Sequence, residues 1–75
     1  MFSQEIFATR VREVRLSRSL SQDGLAQLMT TSKTFVSDIE RSRRTTTVEK
    51  LVELADVLNV SLDYLVGRSD NPAMK

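Results

Sequence analysis

Residues 22–44, QDGLAQLMTTSKTFVSDIERSRR, gather most of the side chains in this chain that can do chemistry. On a helix, Lys33 and Thr34 stand in one turn and Ser37 and Asp38 one turn further along, so all four project from neighbouring positions. Lys33 offers three N–H donors and Thr34 a hydroxyl and a methyl. Ser37 offers a second hydroxyl, and Asp38 only acceptors. Arg41, Arg43 and Arg44 follow directly, and the guanidinium fork suits anionic oxygen. This is the chemistry of recognition by hydrogen bonds and charge. Covalent and acid–base catalysis is a poor fit, because the 75 residues contain neither histidine nor cysteine and no glycine-rich phosphate loop, and are too few to enclose a substrate. An enzyme is therefore not expected, and no metal or other cofactor is called for.

Two short helices must position these groups. Ser21 is a good N-cap for a helix opening at Gln22 and ending near Met29, with Leu25, Leu28 and Met29 on one face. Thr30 and Thr31 are β-branched and poor in mid-helix. Ser32 caps a second helix running from Ser32 or Lys33 to about Arg41, in which Val36 and Ile39 lie three apart. Helices separated by about three residues cross steeply, which is a helix-turn-helix. Ala26, being small, lets the second helix approach.

Gln22, Ala26, Val36, Ile39 and Glu40, within the pattern xQxxLAxxxxxSxxxVSxIE, resemble the helix-turn-helix of the phage-repressor and Cro-like family of DNA-binding proteins. FATRVREVR before it and VEKLVELADVLNVSLDYLVG after it continue the likeness over roughly residues 5 to 67. The resemblance implies an all-α, compact, five-helix lambda-repressor-like domain. It implies a structural ion pair between Arg15 and Glu40 that also offers a donor to phosphate, and a phosphate contact by Gln22 at the second helix's N-terminus. It points the third helix into the major groove of a double-stranded DNA operator, with Lys33 toward guanine, Thr34 toward a base or thymine methyl, and Ser37 and Asp38 one turn on. Ser32, Phe35, Arg41, Arg43 and Arg44 then fall beside the DNA backbone, although a phenylalanine on so short a helix also suits the edge of the core. Gly24 departs from the family pattern. So does Thr30, which stands where a turn glycine is usual and which, like Ser19 and Ser42, occupies a helix end where φ > 0 is expected.

The flanking helices follow from periodicity. Phe7, Val11 and Val14 form the stripe of a first helix over about Gln4 to Ser17, whose outer face carries Arg12, Arg15 and Arg18. Thr46 with Glu49 fits a capping box for a fourth helix through Leu58, with Val48, Leu51, Val52, Ala55 and Leu58 as its apolar face. Asn59 closes it. Ser61 caps a short fifth helix ended by Gly67, with Leu62 and Leu65 inward and Tyr64 and Val66 forming an exposed spot. The domain thus covers residues 1–67, and 68–75 is expected to be a frayed tail.

Net charge is only +1, but its distribution is polar. Through Arg44 there are eight bases against five acids; from Thr45 onward, three against five. One end suits phosphates and the other suits water or a protein. No signal-peptide pattern opens the chain and no stretch is long enough to span a bilayer, so a cytoplasmic location is expected. The expected function is sequence-specific operator binding by a transcriptional regulator, a repressor acting as a homodimer. The alternative is a protein-interaction module on the same fold, such as an antitoxin or adaptor, using the acidic half to hold a regulatory protein partner.

Overall fold

A computed structural model describes residues 2–73 as five helices: α1 (Gln4–Ser17), α2 (Gln22–Leu28), α3 (Lys33–Glu40), α4 (Val48–Leu58) and α5 (Leu62–Leu65). There is no strand among the described residues. Each helix opens on a hydroxyl N-cap that accepts an orphan backbone N–H two or three residues into the helix. Ser3 accepts from Ile6, Ser21 from Gly24, Ser32 from Phe35, Thr47 from Lys50 and Ser61 from Tyr64. The fourth cap corrects the sequence reading by one residue: Thr47, not Thr46, opens α4. The run Thr45–Thr46–Thr47 offers the same chemistry three times. Thr46 instead lines a gap with Phe2, Phe7, Leu51 and Val66, where its hydroxyl is buried without a partner.

The helices also close alike. A residue with φ near +55 to +90° follows each one, namely Ser19 (φ 59), Thr30 (54), Ser42 (58), Asn59 (58) and Gly67 (86). The next N–H then reaches back five residues: Leu20 to Arg15, Thr31 to Ala26, Arg43 to Asp38, Val60 to Ala55 and Arg68 to Asp63. This is the Schellman closure, which satisfies carbonyls that a helix end leaves bare. Only the last of the five uses glycine, as the positions of Ser19, Thr30 and Ser42 led us to expect.

The core is made of Phe7, Val11, Val14, Leu25, Ala26, Met29, Val36, Ile39, Leu54, Ala55, Leu58, Val60 and Leu65, edged by Phe35. Helix α3 packs against both α1 and α2, and α5 against α1 and α4. Three expectations about facing are overturned. Leu28 is exposed, α2 having only two turns and its inward sector already filled by Leu25, Ala26 and Met29. Val48 and Val52 point outward and Leu54 inward, so α4 is rotated from the face the sequence suggested. Leu62 is also exposed, its place in the core taken by Val60.

The stretch read as a frayed tail is held to the body as far as Pro72. Ser61 N–H donates to the Pro72 carbonyl (3.0 Å), and Arg10 donates to the carbonyls of Tyr64 (2.7 Å) and Ser69 (2.6 Å) and to Asp70 (2.9 Å) while lying over the Tyr64 ring. Tyr64 is accordingly half-buried rather than an open apolar spot. Met74 and Lys75 lie outside the described residues. Arg18, on the expected basic face of α1, donates to the Leu58 carbonyl at 3.0 Å and so caps the C-terminus of α4.

A β-branched residue held at φ 54° is strained, by about 1–2 kcal/mol for the left-handed region. Thr30→Gly should therefore raise stability by about 1 kcal/mol net of glycine's entropy, seen as a rise of about 4–8 °C in Tm by circular dichroism.

Candidate nucleic-acid interface

Where α1, α2 and α3 meet, one carboxylate collects three donors. Glu40, the last residue of α3, accepts from Arg15 Nε at 2.6 Å and Nη2 at 3.0 Å, and from Gln22 Nε2 at 3.1 Å. Arg15 Nη1 donates to the Leu20 carbonyl at 2.7 Å, in the bend entering α2. The side chains of Arg15 and Glu40 are 8% and 3% exposed. The geometry is bidentate, the arrangement in which an arginine–carboxylate pair is strongest and most directional. It fixes the crossing of the two helices from both ends, since α1 supplies the cation, α3 the anion, and α2 opens on the amide that completes the cluster.

This burial corrects one part of the sequence reading. The ion pair between Arg15 and Glu40 is present, but Arg15 has every side-chain nitrogen committed within the fold and does not stand out as a phosphate donor. Gln22 is half-buried and gives one amide hydrogen to Glu40, which leaves its second hydrogen and the α2 N-terminus for an anion.

Helix α3 leaves Lys33 and Thr34 exposed, with Asp38 half-buried one turn along. Ser32, also exposed, points its hydroxyl at Phe35 N–H (3.1 Å) as the cap. Ser37 departs from expectation: it is only 8% exposed, so its hydroxyl does not project from the helix as a base-reading group. Phe35, 9% exposed, sits at the margin of the core. Its ring face is covered by Arg44, whose guanidinium carbon lies 4.7 Å from the ring centroid. A phenyl face is electronegative and repels a phosphate oxygen, so Phe35 does not act as the phosphate ligand that the sequence suggested.

Arg41, Arg43 and Arg44 are all exposed at the C-terminal end of α3 and in the loop after it. Ser42, between them, is tied to the start of α1 by Gln4 Nε2, which donates to the Ser42 carbonyl at 3.1 Å. That contact and the Schellman bond of Arg43 N–H to the Asp38 carbonyl (2.9 Å) anchor the backbone from which the arginines project. Lys33 and Thr34 are thus exposed at the start of α3 and Arg41 and Arg43 after its end, while the Arg44 guanidinium reaches back over Phe35 in the helix's first turn. Among the described residues no group of three or more acidic side chains is placed to hold a metal ion, and no helix is long and apolar enough to cross a membrane.

Two residues with roles here carry no local sequence signal. Arg10 and Arg18 fasten segments 40 to 60 positions away, and nothing in their own neighbourhood distinguishes them from solvated surface. The ring under Arg44 is likewise a contact made through space.

Removing Glu40 leaves the Arg15 charge buried with no counter-ion, the costly way to break such a pair. Glu40→Ala should destabilise the domain by about 3–5 kcal/mol, whereas the double variant Arg15→Met/Glu40→Leu should lose much less. Urea denaturation of the three proteins checks both expectations.

Comparison with known proteins places this surface in context. A protein-family model described as Helix-turn-helix matches residues 11–65. Control protein C.SmaI of Serratia marcescens is 37% identical over 65 residues, covering 87% of this chain and 77% of that protein. Among solved structures, the P22 c2 repressor in complex with a synthetic operator superposes with a TM-score of 0.80 at 28% identity, covering 84% of this chain and 96% of that one. The restriction-modification controller protein C.AhdI from Aeromonas hydrophila superposes with a TM-score of 0.77 at 31% identity, covering 83% and 94%.

Proposed function

Because the chain belongs to the helix-turn-helix family of phage-repressor and Cro-like type, and is thereby a DNA-binding transcriptional regulator, we propose that it occupies an operator as a repressor with α3 in the major groove. The observation that carries this reading is the exposure of Lys33 and Thr34 at the start of α3 together with that of Arg41, Arg43 and Arg44, which follow its end in the chain. A recognition helix uses its N-terminal residues on base edges, while flanking cations hold the backbone. Lys33 then donates to guanine O6 and N7, and Thr34 meets a base or a thymine methyl. Asp38, an acceptor only, selects a donor such as cytosine N4 where it faces the groove. Gln22 and the N–H groups opening α2 meet one phosphate, and the arginines meet others. The chain works by binding rather than catalysis, and its place is the cytoplasm, where operator DNA lies.

The operator-bound form we propose is a homodimer. Val48 and Val52 lie one turn apart on the outer face of α4, Val48 76% and Val52 40% exposed. Val52 and Leu62 border one groove with Asp56 and Asp63. Three large apolar residues left outward on adjoining elements suit a self-complementary surface. Two recognition helices then meet half-sites about 34 Å apart on one face of the duplex. A regulatory protein partner, where one exists, competes for or extends this same acidic-edged surface.

Selection from a random duplex library at moderate salt should return a palindromic site. On that site Lys33→Ala should relax preference at its base pair by about 1–3 kcal/mol of discrimination. Arg43→Ala should weaken all sequences alike and reduce the slope of log K against log salt by about 0.9; unchanged preference after Lys33→Ala assigns the reading to other residues. Val52→Asp should convert the dimer to monomer in sedimentation velocity and abolish the preference for paired over single half-sites.

A further inference from the structure

The three arginines after α3 are not equivalent. Arg41 and Arg43 extend from the backbone with no side-chain hydrogen bond among the described residues, whereas Arg44 is held twice. Its guanidinium lies over the Phe35 ring at 4.7 Å, and its Nε donates to the Thr45 carbonyl at 3.2 Å. No carboxylate among the described residues lies within ion-pair distance of it. A guanidinium fixed through Nε and one face keeps its two terminal nitrogens outward, and those are the nitrogens that grip an anion bidentately.

Phe35 itself is set by the fold. It belongs to the first turn of α3, its N–H bonded to the Ser32 cap, and it is 9% exposed at the margin of the core between Val36 and the recognition surface. The rim of the core thus supplies an immobile apolar plate beside the exposed Lys33 and Thr34, and the loop lays Arg44 on it. Ordering a long side chain opposes association; here the ordering is already done in the free protein. The positive guanidinium also covers a ring face that would repel phosphate.

We propose that Phe35 is a positioning residue: it contacts no DNA and holds Arg44 in the orientation that receives a backbone phosphate. This inference rests on the operator-binding reading above. It differs from a general packing role in one respect, because its effect on affinity must pass through Arg44.

The test is a double-mutant cycle on the selected duplex, preceded by binding of the unaltered protein. Phe35→Leu, which keeps apolar bulk and removes the π face, should weaken binding about 3–10-fold, the worth of a cation–π contact. In an Arg44→Ala background the same change should have almost no effect, within about twofold. Phe35→Tyr keeps the π face and should bind like the unaltered protein. In the free protein the Arg44 side-chain protons should be shifted upfield by the ring in proton NMR, and Phe35→Leu should abolish the shift; should that variant fail to melt cooperatively, Phe35→Met carries the comparison. Equal weakening in both backgrounds, loss of affinity in Phe35→Tyr, or Arg44 protons without an upfield shift overturns the proposal. Failure of the unaltered protein to select any duplex removes the operator-binding reading itself, and this inference with it.

Discussion

The buried pair of Arg15 and Glu40 is the constraint on which the arrangement of the other parts depends. An ion pair this deep is not chiefly a source of stability, since desolvating two charges offsets most of their attraction. What it supplies is geometry. A bidentate contact has one good orientation, and here it is made between the last turn of the fold's longest helix and the end of the helix that carries Lys33 and Thr34. The third donor, from Gln22, brings the start of α2 to the same carboxylate. Apolar packing alone, through Val14, Leu25, Val36 and Ile39, would tolerate some sliding of one helix over another; a fork of N–H groups on two oxygens does not.

Around that point the molecule divides into a basic and an acidic part. Lys33 of α3 and the arginines that follow it belong to the first, while Asp56, Asp63 and Asp70 lie further along the chain. A net charge of only +1 thus conceals an uneven distribution of charge along the chain. Arg10 on α1 and Arg18 just after it are spent within the fold, on the C-terminal segment and the end of α4. Counting basic residues therefore overstates the DNA-facing charge.

What could be read from the sequence follows from how local each cause is. Caps and stops are local, so the bounds of α1, the hydroxyl caps of α2, α3 and α5, and the left-handed positions at Ser19, Thr30, Ser42 and Asn59 were legible residue by residue. The inward face of α4 was not, because VEKLVELADVL has apolar residues around more than half its circumference, and the packing of the helix into the core and against α5 selects Leu54 over Val48 and Val52. The pairing of Arg15 with Glu40 was legible only through the family's pattern, and its burial, which removes Arg15 from phosphate, was not legible at all. Ser37 was misread for a related reason, whereas the place of Phe35 at the edge of the core was legible and only its phosphate role was not: position on a helix wheel states direction, while exposure depends on what stands opposite. The hold of Arg10 on Ser69 and Asp70 joins residues far apart in sequence, beyond the reach of any local rule.

The repeated closure of each helix by a back-reaching N–H bears on how the domain meets a partner. Each closure pairs the backbone at a helix end and keeps the α1–α2, α2–α3 and α4–α5 connections short, so these three need no ordering on docking. Association is then close to the joining of two preformed solids, with an entropy loss confined to rigid-body motion and a handful of surface side chains. Such a binder arrives ready to engage, and the lifetime of its complexes rather than the speed of their formation becomes the quantity that separates one DNA site from another.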